Sequence, residues 1–224
     1  MPAVPRLVVV TDRHQAAAAG HGLLEVVAAA VEAGARAVWV REKDLPAAER
    51  SALAVEIARL LALHAEPASH AEPALHAEPA PETGSRLPVS GAGSWLVGPS
   101  WVGVHVPSGG ARPPGFAGRS CHSVEELRAA RDEGFDYATL SPVFPSASKP
   151  GYGPALGLGG LRHAVAAVPD LPVLALGGVT AATAAACVEA GAAGVAVMGA
   201  VMAAADPPAA VRDLLAALGE TVSP

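Results

Sequence analysis

The chain has 224 residues, 51% of them hydrophobic and 16% charged, with a formal net charge of -6. That suits one globular domain with a large core, packed mainly from Ala, Val and Gly, and the acidic balance excludes a basic surface for nucleic acid. Two cysteines, Cys121 and Cys187, are too few for a disulfide framework and fit a reducing cytoplasm, where the protein is expected to reside. Asp12 and Arg13 interrupt the first apolar run, so no signal peptide is expected, and no apolar segment is long enough for a bilayer.

In chain order, short apolar runs alternate with longer Ala/Leu-rich amphipathic ones. "RLVVVTD" predicts a strand, and residues 15–34 a helix ending at Gly34. "RAVWVREK" predicts the second strand, followed by the helix "PAAERSALAVEIARLLALHA", which Pro46 opens. "RLPVS" and "SWVGVHV" read as the third and fourth strands. "FAGRSCHS" leads into a helix beginning "SVEELRAARDEG", with Ser123 and Glu126 spaced as a capping box. "DYATLSPVF" (strand), "GGLRHAVAAV" (helix), "LPVLALGG" (strand), "TAATAAACVEAG" (helix), "AGVAVMG" (strand) and "PPAAVRDLLAALG" (helix) complete the chain. Eight strands in this rhythm imply a parallel sheet, and the length favours a single (β/α)8 TIM barrel over residues 1–224. An open doubly wound sheet is the rival, without its G-x-G-x-x-G signature after the first strand.

The stretch "LHAEPASHAEPALHAEPAPE", residues 63–82, writes a six-residue unit three times, with His64, His70 and His76 each opening His-Ala-Glu-Pro. Proline at this period forbids a helix and favours extended backbone, in which successive histidines stand roughly 19 Å apart, too far to share one ion. Residues 64–83 are therefore expected to be a disordered low-complexity insertion between the second helix and the third strand, on the face opposite the catalytic strand ends. Adventitious metal binding is the alternative.

In a barrel the chemistry belongs to the C-terminal strand ends. "LALGGVT" and "VAVMGAV" place Gly177, Gly178, Val197, Met198 and Gly199 where backbone amides and helix starts make a phosphate cradle. The loop "SPVFPSASKPGYGPALG" offers Ser146, Ser148 and Lys149 to an anionic group, and Arg41, Lys43 and Ser120 end other strands. His122 precedes the helix cap Ser123, where the helix N-terminus disfavours imidazolium, leaving a ring able to act as general base. A Cys121–His122 nucleophile pair is disfavoured because neighbours in sequence point different ways. His105, inside "VGVHV", reads as a packed strand residue.

Taken together, "LVVVTDRH", "VWVREKDL", "GVHVPSGG", "GRSCHSVEEL", "DYATLSPVFPSASKPGYGPALGL", "LALGGVT" and "AGVAVMGAV" resemble, in order, the superfamily of thiamine phosphate synthase and the thiazole tautomerase. The resemblance implies a TIM barrel, a thiazole phosphate ligand and a possible homodimer, with neither nucleic acid nor membrane as partner. Synthases join a pyrimidine pyrophosphate to a thiazole phosphate, with magnesium held by two aspartates. Here Trp39 replaces their usual Gln, Ser90 and Gly91 replace Asn-Asp, and Gly110 replaces the second Asp. "GRSCHSVEEL" and "VHVPSGGARPP" resemble the tautomerase branch. The expectation is thus a metal-independent thiazole tautomerase, an aromatising isomerase needing no cofactor, in which His122 shuttles the proton. Arg41, Lys43 and Lys149 would grip carboxylate or phosphate. The alternatives are a thiamine phosphate synthase, which would need Mg2+ with Asp12 or Glu42 as substitute ligands, and a non-catalytic phosphate-ligand binding protein.

Overall fold

The computed structural model describes residues 3–64, 94–145 and 154–220. In chain order the elements are β1 (Leu7–Val10), α1 (Arg13–Ala18), α2 (Leu23–Glu32), β2 (Val38–Val40), α3 (Ala47–Leu63), β3 (Ser94–Val97), β4 (Val102–Val106) and β5 (Ala117–Cys121). They continue as α4 (Val124–Asp132), β6 (Tyr137–Leu140), α5 (Gly157–Ala166), β7 (Val173–Leu176), α6 (Ala181–Glu189), β8 (Gly194–Val197), α7 (Gly199–Met202) and α8 (Pro207–Ala217). The strands close in sequence order into a barrel, β8 pairing with β1. No helix among the described residues is long and apolar enough to cross a membrane.

Two-residue alternation along the strands makes two cores. Val8 and Val10 of β1 face the barrel interior with Trp39, Leu96, Phe116 and Tyr137. Leu7 and Val9 face outward into the layer beneath the helices, with Val27, Ile57 and Leu127. Gly118 makes room for the interior aromatics: a Cβ there would overlap the Tyr137 ring.

Three features differ from the sequence expectation. The helix expected over 15–34 is two helices, α1 and α2, broken around Gly20 (φ 88°). The third strand of the barrel is "SWLV", antiparallel to both β2 and β4, where a parallel strand was expected; "RLPVS" lies outside the described residues. The reason is the connection: only residues 98–101 separate β3 from β4, closed by the Gly98 N–H donating to the Trp101 carbonyl (2.9 Å). So short a link joins antiparallel neighbours, whereas parallel strands need a crossover of about a dozen residues or more. The third difference lies at α4, where Ser123 accepts the Glu126 N–H but the Glu126 carboxylate takes the N–H of His122 (2.7 Å), not that of Ser123.

The reversal of β3 also sets where the described chain stands on either side of residues 65–93. Arg50 in the first turn of α3 and Ser94 at the start of β3 both line the mouth cavity. α3 runs about 25 Å away from that mouth. His64 and Ser94 therefore stand at opposite ends of the barrel. The remainder of the 64–83 segment lies outside the described residues.

Candidate active site

The C-terminal ends of the parallel strands open into a cavity of about 910 Å3. That is the upper part of the range for small-molecule sites, large enough for two ring compounds. Its lining divides into a neutral polar floor, an amide-rich wall and a cationic wall.

The floor is built from strand residues pointing inward. His105 is 1% exposed; its Nδ1 lies 2.8 Å from the Tyr137 hydroxyl and its Nε2 2.9 Å from Ser120 Oγ. Burial pushes the His105 pKa down to about 3, and the charges of Lys43 and Arg41 push the same way, so the ring is neutral. The Trp39 ring lies 3.9 Å from that of His105, centroid to centroid, and Trp39 Nε1–H donates to Ser94 Oγ (2.5 Å). Thr139 and Ser141 add hydroxyls. The expectation of His105 as a packed, hydrogen-bonded strand residue holds, but it is also cavity floor.

The amide wall comes from the β7 and β8 ends. Gly177 (φ 93°) and Gly178 (φ 65°) adopt backbone that other residues rarely take. At Gly178 a Cβ would stand 2.8 Å from Phe144 Cβ, and closer still to the Pro145 carbonyl oxygen. The Gly177 carbonyl accepts the Phe144 N–H (2.9 Å). In a trans peptide the next N–H points the opposite way, so the Gly178 amide is directed away from that loop. Val197, Met198 and Gly199 line the same side, as the sequence predicts.

The cationic wall comes from the β2 end and the start of α3: Arg41, Lys43 and Arg50 line the cavity. The Arg41 N–H is anchored on Thr11 Oγ1 (2.9 Å), and the Arg50 guanidinium lies 6.0 Å from the Trp95 ring centroid. Arg50 Nε is buried and meets no hydrogen-bond acceptor among the described residues.

Nearby carboxylates are engaged elsewhere. Asp12 caps α1, accepting the backbone N–H groups of His14 and Gln15 and the Gln15 side-chain amide. Glu42, 3% exposed, binds the Arg13 guanidinium (3.0 Å). Asp44 binds Arg13 and His14, contacts that hold its carboxyl well below the usual carboxylate range. None of the three lines the cavity.

His122 does line the cavity, with Nδ1 2.8 Å from the Ser141 carbonyl oxygen. A carbonyl only accepts, so Nδ1 donates the hydrogen in this contact. Cys121 turns into the outer core and burial pushes its thiol up to about 12, in keeping with the exclusion of a Cys–His pair. Of the predicted residues, Arg41, Lys43, Ser120, His122 and the glycine-centred segments meet in one cavity. Ser146, Ser148 and Lys149 lie outside the described residues. Gln15, Arg50 and Ser94 were not foreseen. Gln15 and Arg50 sit in helical first turns without a spacing signal, and Ser94 depends on the reversed strand.

The thiamine monophosphate synthase family matches residues 111–201. A thiamine-phosphate synthase of Roseiflexus castenholzii is 36% identical over 92% of this chain and 85% of its own length. One from Methanoculleus marisnigri is 36% identical over 93% of this chain and 92% of its own. Among solved structures, the thiamine phosphate pyrophosphorylase of Pyrococcus furiosus superposes with a TM-score of 0.71 at 26% identity, covering 96% of this chain and 95% of that one. These relatives correct the expectation of a thiazole tautomerase: matched over most of the chain, they are named thiamine-phosphate synthase and thiamine phosphate pyrophosphorylase. The expectation gave a single phosphate grip and one proton shuttle too much weight, and the Arg-Glu-Lys segment, whose Arg41 and Lys43 line the cavity, too little.

Proposed function

Because the chain belongs to the thiamine-phosphate synthase family, we propose that it joins a pyrimidine pyrophosphate to a thiazole phosphate and releases pyrophosphate. The observation that carries this reading is the pair of anion-attracting walls in one cavity, glycine amides at β7 and β8 and cations at β2 and α3. Two phosphorylated substrates need both.

In the reaction, the C–O bond between the pyrimidine methylene and the pyrophosphate breaks, its electron pair leaving on oxygen. The thiazole nitrogen donates its lone pair to the same carbon and becomes a thiazolium. No proton has to move between the rings, so His122 serves as a hydrogen-bonding wall group in this reading. Glycine amides hold the thiazole phosphate. Arg41, Lys43 and Arg50 meet the negative charge that grows on the leaving oxygen. Positive charge grows at the methylene, and a floor of hydroxyls around a neutral His105 does not oppose it. Holding both partners in one dry cavity supplies the orientation.

Among the described residues, no side-chain set fits a protein-held magnesium ion. Such an ion wants hard anionic oxygens, yet Asp12, Glu42 and Asp44 are committed to other partners. At Gly110, the position expected to replace an aspartate, a Cβ would stand 2.9 Å from Val106 Cβ and 3.0 Å from the Pro107 carbonyl oxygen. A carboxylate cannot be added there without moving the loop.

The test is turnover with both substrates, reading thiamine phosphate and pyrophosphate separately. Equal amounts of the two are expected. Consumption of neither substrate, with or without magnesium, contradicts the reading.

A further inference from the structure

We infer that the leaving-group side of this cavity is a metal-independent pyrophosphate site, in which fixed side-chain cations do what a carboxylate-held divalent ion would otherwise do. The inference rests on the synthase reading for its ligand, and on the charge distribution of this chain for its substance.

That distribution is one-sided. From residue 83 to residue 124, a span that includes β3, β4 and β5, the sequence has no aspartate or glutamate. Residues 141–156, after β6, and 177–180, after β7, have none either. The described loops that follow β4, β5, β6 and β7 therefore carry no carboxylate of their own, and Glu126, in the first turn of α4, is engaged by the His122 N–H. The acidic groups that the β1 and β2 ends do bring are turned to structural work on Arg13, His14 and Gln15. Cations stand there instead: Lys43, one of the chain's two lysines, follows β2. Arg41, Lys43 and Arg50 line the cavity, and the charges of Lys43 and Arg41 reach the floor at His105.

A pyrophosphate entering such a cavity meets guanidinium and ammonium groups already in place. Guanidinium forks match phosphate oxygens geometrically and hold their charge at any pH at which the protein folds. When the C–O bond breaks, the added electron pair on the pyrophosphate oxygen is met by these groups, so the atoms and charges balance without a metal. Magnesium present in solution would ride on pyrophosphate through the anion's own oxygens and water, because no carboxylate lines the cavity among the described residues.

The experiment is calorimetric titration of the full chain with inorganic pyrophosphate, once in EDTA and once in magnesium, alongside product formation under both conditions. Binding is expected in EDTA, with an affinity that magnesium changes by less than about threefold. Arg41→Gln and Arg50→Gln should each weaken it roughly tenfold or more, a loss of the size expected for one charge-assisted contact. Thiazole phosphate binding at the glycine amides serves as the control that each variant is folded. Pyrophosphate binding that appears only with magnesium, or that ignores both substitutions, overturns the inference. So does product formation that stops in EDTA, an outcome that leaves the synthase reading standing. Pyrophosphate binding in EDTA without product under either condition leaves the anion site standing and removes the synthase.

Discussion

Replacing Gly178 with alanine should loosen the phosphate grip and the barrel mouth together. Gly178 has φ 65°, a conformation that costs a residue with a Cβ about 1–2 kcal/mol. The new methyl would also press on backbone: it would stand 2.9 Å from the Phe144 carbonyl oxygen and closer to that of Pro145. Neither atom is the free end of a side chain, so relief needs the β6 and β7 loops to separate, at about 1–3 kcal/mol for overpacking. The sum is roughly 3 kcal/mol, which in a domain of this size lowers Tm by about 6–12 °C. The displaced amides should raise KM for the thiazole phosphate by about 10–100-fold, as expected when charge-assisted hydrogen bonds are lost. Affinity for pyrophosphate, held on the β2 side, should hardly change. The assay is steady-state turnover with each substrate varied in turn, beside a thermal melt. An unchanged Tm together with an unchanged KM for the thiazole phosphate would refute the cradle.

Other outcomes follow from the same geometry. Gly159→Ala in α5, where a Cβ meets nothing within 4 Å, should stabilise by about 1 kcal/mol without touching turnover, read as a rise in Tm. His105 makes folding sensitive to acid. Above pH 6.5 neither the folded nor the unfolded imidazole carries a proton, so the group adds no pH dependence there; below it the unfolded chain gains a proton that the folded ring refuses until about pH 3. Stability should therefore fall by about 1.4 kcal/mol per pH unit across that window, and urea melts of His105→Asn should show a flatter slope. Deleting residues 64–82 leaves residues 83–93, able to reach about 36 Å when extended, enough to run from His64's end of the barrel to Ser94. Turnover and melting temperature are expected to stay close to those of the intact chain, and a large loss of either would mean that the repeat packs on the barrel.

Much of the fold was legible because the strands β1, β2, β4 and β6 to β8 announce themselves as short branched runs such as "LVVV" and "GVAV". The backbone of Gly177 and Gly178 was legible for a local reason: both positions need a positive φ, and backbone need shows in sequence. β3 was not legible. "SWLV" followed by "GPSW" is a hairpin signal set in a chain whose rhythm elsewhere is strand then helix, and the rhythm prevailed in the reading. Missing it hid the Trp39–Ser94 hydrogen bond. His122 drew notice as a lone imidazole at a helix start, whereas its partner, the Ser141 carbonyl, lies 19 residues away and carries no sequence signal.

The claim that two separate anion stations share one cavity is tested most directly by titrating thiazole phosphate into enzyme already saturated with pyrophosphate. Simultaneous binding, with one equivalent of each ligand and little loss of affinity for either, is the predicted result. Strict competition between them would contradict it, because a cavity with a single anion station cannot hold both partners of the joining reaction.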